Sequence, residues 1–163
     1  MIDIEGQSAK YDSQFAAAHK TARLVVLAFV TSIIVYVAAG FIIAHTVTVT
    51  ESNVPYGFYA ATVFLALGSI VFRRTQMHRF RLESVAIRRG IEGLIKHFVT
   101  VTIISAAMAE AIGVLALAIV FFSGNDFDPV RLGVVALAIT LYNYPRRADW
   151  QQAVDYFSAT LPK

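Results

Sequence analysis

Four long apolar runs, separated by polar and charged segments, dominate the chain. They cover residues 24–44, 56–72, 98–122 and 130–144. A transmembrane helix needs about 20 mostly apolar residues, with a range of about 17–25. The first three runs reach this range. The fourth is shorter, but Arg131 near its start can extend its charge outward, and Tyr142 and Tyr144 suit a membrane interface. The pattern predicts an all-α polytopic membrane protein in which residues 1–163 form a single domain of four transmembrane helices.

The segments 73–97 and 145–163 carry a second, amphipathic pattern. In 73–97 the apolar residues recur at intervals of three, four or seven, with arginines between them: Met77, Phe80, Ile87, Ile91, Leu94 and Phe98. In 145–163 the corresponding residues are Trp150, Val154, Phe157 and Leu161. We expect 73–97, a basic loop or helix, either to lie on the inner leaflet or to extend the third helix into the cytoplasm. The tail is expected to be an interfacial amphipathic helix.

The composition agrees with a chain that is covered in part by lipid. Hydrophobic residues make up 57% of it and charged residues 15%, whereas a soluble domain typically has about a quarter charged residues. Cysteine is absent, which excludes disulfides, thiolate metal sites and cysteine nucleophiles. The four histidines do not share one depth, and no nucleophile motif or phosphate-binding loop is present. We therefore expect no metal, no cofactor and no enzymatic activity.

The basic residues predict the orientation. All of the 14 lysines and arginines except Arg131 lie in the N-terminal segment, in 73–97 or after the fourth run. Because cytoplasmic loops carry the excess of basic residues, we expect both termini to be cytoplasmic, in an inner (plasma) membrane. The net charge of +3 then indicates contact with anionic lipid and not with nucleic acid. The arginines expected to face the inner leaflet are Arg73, Arg74, Arg79, Arg81, Arg88 and Arg89.

One carboxylate interrupts the third run. Glu110 stands twelve residues from either end of it, which at about 1.5 Å per residue places it roughly 18 Å from both, near the bilayer centre. A charge at that depth is expensive, and no lysine, arginine or histidine lies deep in another predicted span. We expect the carboxyl group to be protonated and hydrogen-bonded. The candidate partners at matching depth are Thr31, Ser32, Tyr36, Thr62 and Thr140.

Small residues surround this carboxyl group. Ser105, Ala109 and Gly113 recur at intervals of four, and Ala106 and Gly113 flank Glu110 on its own face. A ridge of small residues lets another helix approach closely. The sequence therefore predicts helix packing at the carboxyl group, either within the chain or between copies of it.

The run from Ala109 through Glu110 to Gly113, which continues into LALAIVFF, resembles the ion-carrying helix of the proteolipid c subunits of rotary ATP synthases and V-type ATPases. Helices of that family place a carboxylate in the middle of the membrane among small residues, after a basic cytoplasmic loop. The resemblance covers the third span only, and it implies that Glu110 binds a proton reversibly in a homo-oligomeric ring. Because Ala111 and Val114 offer no hydroxyl group, it implies protons rather than sodium.

Three interpretations of Glu110 stay open at this point. In the first, the protein is an accessory or oligomeric membrane subunit that packs through small-residue helix faces around this glutamate. In the second, it is a c-ring-like oligomer that binds or translocates protons. In the third, the carboxyl group only holds the bundle together through hydrogen bonds. The first is favoured over the second because the second and fourth spans lack the glycine repeat of the family's inner helix.

Overall fold

The computed structural model describes residues 4–47, 54–123 and 125–160, and within them all regular structure is helical. The prediction of an all-helical chain is confirmed. The α-helices are α1 (Ile4–Ala44), α2 (Val54–Gln76), α3 (Arg79–Ala118), α4 (Asp128–Tyr142) and α5 (Arg147–Thr160), and a 3-10 turn, Ile119–Phe121, extends α3.

Three of the described helices are long and apolar enough to cross a membrane. They are α1 from Ser13 onward, α2, and α3 with its 3-10 extension. The fourth predicted span coincides with α4, whose 15 residues reach about 22 Å at 1.5 Å per residue. Because the hydrocarbon core is about 30 Å thick, α4 by itself is too short to cross it. Three described helices therefore have the length and composition of a membrane span, and α4 is a shorter fourth helix that packs beside them.

The helices α1 and α3 run side by side in the same direction, and glycines bring them close together. A β-carbon on Gly113 would stand 3.0 Å from Ile33 Cγ1, and one on Gly40 would stand 3.4 Å from the backbone oxygen of Ala116. On another side of α3, the side chain of Met108 lies against Gly68 of α2. The helix α3 is therefore the centre of the bundle.

A break at Gly90 divides α3 into two pieces, 79–89 and 91–118. Gly90 has φ 67° and ψ −172°, a left-handed conformation that glycine adopts without a steric penalty from Cβ. The break also divides the predicted amphipathic pattern, because Leu94 and Phe98 are buried whereas Phe80 and Ile87 stay 77% and 65% exposed. The segment 73–97 thus comprises the last turn of α2, the separate helical piece 79–89 and the first turns of the helix 91–118.

A hydrophobic core lies at the end of the bundle that carries Arg23, Arg73 and Arg79. We call this the basic end. Its core consists of Phe15, Ala22, Leu82, Ala86, Leu94, Ile95, Phe98, Trp150 and Phe157. The Trp150 ring stacks on Phe98 with 5.2 Å between centroids and 20° between planes. The apolar face of α5 therefore covers α1 and α3, which corrects the expectation that it lies on lipid; Leu161 falls outside the described residues.

Candidate functional site

The side chain of Glu110 lies on the border between the packed and the open faces of α3. Ala109 and Gly113, on one side of it, are buried, whereas Ala107 and Val114, on the other side, are exposed. Glu110 itself is half-buried. The carboxyl group is therefore neither enclosed in the bundle nor fully directed outward.

No described side chain forms a hydrogen bond or an ion pair with the Glu110 carboxyl group. None of the five hydroxyls predicted as partners bonds to it. Thr31 and Thr140 each donate to the backbone oxygen four residues earlier in their own helices. The buried Thr62 hydroxyl has no partner among the described residues. Tyr36 lies beside Gly113 without bonding to the carboxyl group. Within the described part of the chain, Glu110 is unsatisfied.

The ridge of small residues packs inside the chain. Its four members are all buried: Ser105, Ala106, Ala109 and Gly113. Gly113 contacts α1, because a β-carbon there would stand 3.0 Å from Ile33 Cγ1 and 3.4 Å from Tyr36 Cδ2. Ser105 contacts α2, because the Ser69 hydroxyl donates to the Ser105 backbone oxygen over 3.3 Å. Of the two arrangements predicted for the ridge, contact within the chain is the one observed.

A series of buried hydrogen bonds connects α2, α3 and the end of α4. Asn143 Nδ2 donates to Ser69 Oγ over 2.8 Å, and Ser69 Oγ in turn donates to the backbone oxygen of Ser105. The guanidinium group of Arg73 donates to the backbone oxygen of Asn143. Sequence reasoning missed this group. The available signal was an amide at the end of one apolar run and a serine inside another.

At the opposite end of the bundle, Asp128 is buried and accepts hydrogen bonds from three side chains. Its carboxylate oxygens accept from Tyr59 Oη over 2.7 Å, from Arg131 Nη1 over 3.0 Å, and from the Ser123 hydroxyl. Asp128 and Pro129 open α4. The carboxylate of Asp128 therefore holds α2 against α4.

The histidines take structural positions. His19 and His97 each form a hydrogen bond with a backbone oxygen of another segment, and His45 Nε2 lies 3.7 Å from the Asp126 carboxylate. The part of the chain that the structure describes contains no group of three or more His, Cys, Asp or Glu side chains that could hold a metal ion. Glu110 is therefore the group whose environment calls most clearly for a functional explanation.

Comparison of the chain with models of protein families, with curated proteins and with solved structures finds no match. Function must therefore be inferred from the chain's own geometry. The two features that carry such an inference are the unsatisfied carboxyl group on α3 and the distribution of charge at the basic end.

Proposed function

We propose that this protein is an integral membrane subunit that associates with a further transmembrane helix along the open face of α3, and that Glu110 makes the polar contact. The observation that carries this proposal is the half-buried Glu110 carboxyl group, which has no partner among the described side chains. The further helix belongs to a second copy or to an unlike chain.

The energetic argument starts from the depth of Glu110. A polar group that faces hydrocarbon without a partner is costly, and a protonated carboxyl group has both a donor and an acceptor to offer. A hydrogen bond between membrane helices contributes about 1 kcal/mol. A second helix at this face would supply that bond and would remove the carboxyl group from lipid at the same time.

The surface available to a further helix is the part of α3 that the chain's own helices leave uncovered. The small-residue ridge is occupied by α1 and α2, so it is not available to another protein. The open face next to Glu110 carries Ile104, Ala107 and Val114, of which Ile104 is 40% and Val114 47% exposed. The small side chain of Ala107 leaves room for a neighbouring helix to approach Glu110 closely.

The proposal includes an orientation. Both the start of α3 and the docked α5 lie at the basic end, where nearly all lysines and arginines of the chain are found. We place this end in the cytoplasm, because basic residues are enriched on that side of a membrane. In a bacterial-type cell the protein would then reside in the inner membrane with both termini inside.

Native mass spectrometry of the particle extracted in mild detergent tests the proposal. We expect a mass above that of one 17.9 kDa chain for the wild type and for Glu110→Gln, which keeps a donor and an acceptor. Glu110→Leu should release the single chain, and Val63→Leu, a control at an exposed position of α2 outside this face, should stay assembled. A single-chain wild type, or an assembled Glu110→Leu, would contradict the proposal.

A homo-oligomer that carries protons is the second candidate, in keeping with the resemblance of the third span to c subunits. A carboxyl group on the border of the packed face favours it, because proton exchange requires access from one side. In this case Glu110 should react with a hydrophobic carbodiimide, and Glu110→Gln should remain assembled but lose proton flux in vesicles. An unchanged flux would leave only the association role.

A further inference from the structure

An open cleft of about 540 Å³ lies at the basic end, where α2 ends and α3 begins. Its lining combines two arginines with two hydroxyls, a histidine and one aromatic ring: Arg74, Arg81, Thr75, Ser84, His78 and Phe80. In proteins, phosphate oxygens commonly accept hydrogen bonds from arginine and hydroxyl groups. The cleft therefore has the chemistry of a phosphate site.

The side chains of the two cleft arginines have no partner among the described residues, in contrast to those of Arg73 and Arg79. Arg73 donates to the backbone oxygens of Asn143 and Tyr144, and Arg79 donates to the Tyr156 hydroxyl. Arg74 and Arg81 are exposed, and neither side chain forms a hydrogen bond or an ion pair with any described residue. Their guanidinium groups are free to receive an anion.

The cleft lies at the end of an exposed apolar stripe on α2. Phe64, Leu67 and Val71 are 84%, 58% and 61% exposed, and their spacing places them on one helix face. Arg74 and Thr75 follow Val71 by three and four residues, so they continue this face by one turn, about 5 Å further along the axis. An acyl chain lying on the stripe would therefore bring its headgroup to Arg74.

We propose that the cleft binds the phosphate group of an anionic glycerophospholipid, with an acyl chain lying along the Phe64–Val71 stripe. Arg74 and Arg81 pair with the phosphate, and the exposed ring of Phe80 flanks the lipid on the α3 side. The sequence predicted contact with anionic lipid for six arginines without distinguishing among them. The proposal assigns a defined site to two of the six, and it does not depend on Glu110 or on oligomerisation.

Native mass spectrometry of delipidated protein, titrated with phosphatidylglycerol or phosphatidylcholine, tests the site. The test variant is Arg74→Ala/Arg81→Ala, and the matched control is Arg88→Ala/Arg89→Ala. The control removes the same charge from two exposed arginines outside the cleft. Since each basic residue near an anionic surface contributes about 1 kcal/mol, we expect the first binding event of phosphatidylglycerol to weaken about tenfold or more in the test variant and much less in the control.

Three outcomes would overturn the proposal. Equal losses in the two double variants would mean diffuse attraction without a site. Equal binding of phosphatidylcholine and phosphatidylglycerol by the wild type would remove the preference for anionic lipid. Displacement of the lipid by millimolar inorganic phosphate would indicate a site for free phosphate. Should the alanine pair fail to fold, the pairs Arg74→Gln/Arg81→Gln and Arg88→Gln/Arg89→Gln provide the same comparison.

Discussion

Gly113 of α3 lies so close to α1 that a β-carbon at this position would stand 3.0 Å from the Cγ1 atom of Ile33. A larger side chain would have to separate the two helices or displace Ile33. We predict that Gly113→Leu lowers the free energy of unfolding by about 1–3 kcal/mol, the usual cost of overpacking. Loss of helical circular dichroism during titration of detergent-solubilised protein with sodium dodecyl sulfate measures this change.

The matched control is Gly57→Leu on α2, where a β-carbon would meet no atom of the described residues within 4 Å. This variant should be as stable as the wild type or slightly more so, because leucine is the better helix former. If both variants lost the same stability, the close approach of α1 and α3 at Gly113 would not be the cause.

The second prediction concerns Trp150, which is 2% exposed in the core at the basic end and is the single tryptophan of the chain. Trp150→Ala should cost about 3–5 kcal/mol, because it leaves a large cavity against Phe98. Trp150→Phe should cost far less, since it keeps a ring and removes an indole N–H that is buried without an acceptor in the described part of the chain. Thermal unfolding followed by circular dichroism distinguishes the two, and equal losses would argue against ring packing as the cause.

The third prediction tests the hydrogen bond between Asn143 and Ser69. A double-mutant cycle with Ser69→Ala and Asn143→Ala should give a coupling energy of about 0.5–1.5 kcal/mol, the usual net contribution of a hydrogen bond within a protein. Ser158 is exposed and donates to a backbone oxygen within α5. The cycle of Ser158→Ala with Asn143→Ala should therefore show no coupling. A similar coupling in both cycles would contradict a direct bond.

The apolar runs predicted where the helices lie because the length of a run and the thickness of a bilayer are linked directly. The break at Gly90 was not predicted, although the pattern changes there from Phe80 and Ile87 to Leu94 and Phe98. Periodicity alone does not reveal that these two pairs face different surroundings. The packing of α5 was not predicted either, because an amphipathic face suits a lipid surface and a protein surface equally well.

The predicted hydrogen-bond partners of Glu110 were wrong for a related reason. Position along a span gives the depth of a residue, and the hydroxyls were selected by depth. The direction in which a side chain points is determined by the rotation of its helix. In α3 that rotation is determined by the contact of Gly113 with α1 and by the contact of Ser105 with α2. Together these two contacts place Glu110 at the border of the packed face. Such contacts between helices cannot be derived from the apolar pattern.

The last prediction separates a functional Glu110 from one that only stabilises the bundle. Because the carboxyl group bonds to no described residue of its own chain, Glu110→Leu should leave the unfolding free energy of the isolated chain unchanged within about 0.5 kcal/mol, or should raise it. Ser69→Ala, which removes a buried hydroxyl that both donates and accepts, should lower it by about 1 kcal/mol. Both are measured by unfolding in dilute detergent, where each particle holds one chain. A loss for Glu110→Leu as large as that for Ser69→Ala would show that the glutamate supports its own bundle, and the association proposed at this face would lose its basis.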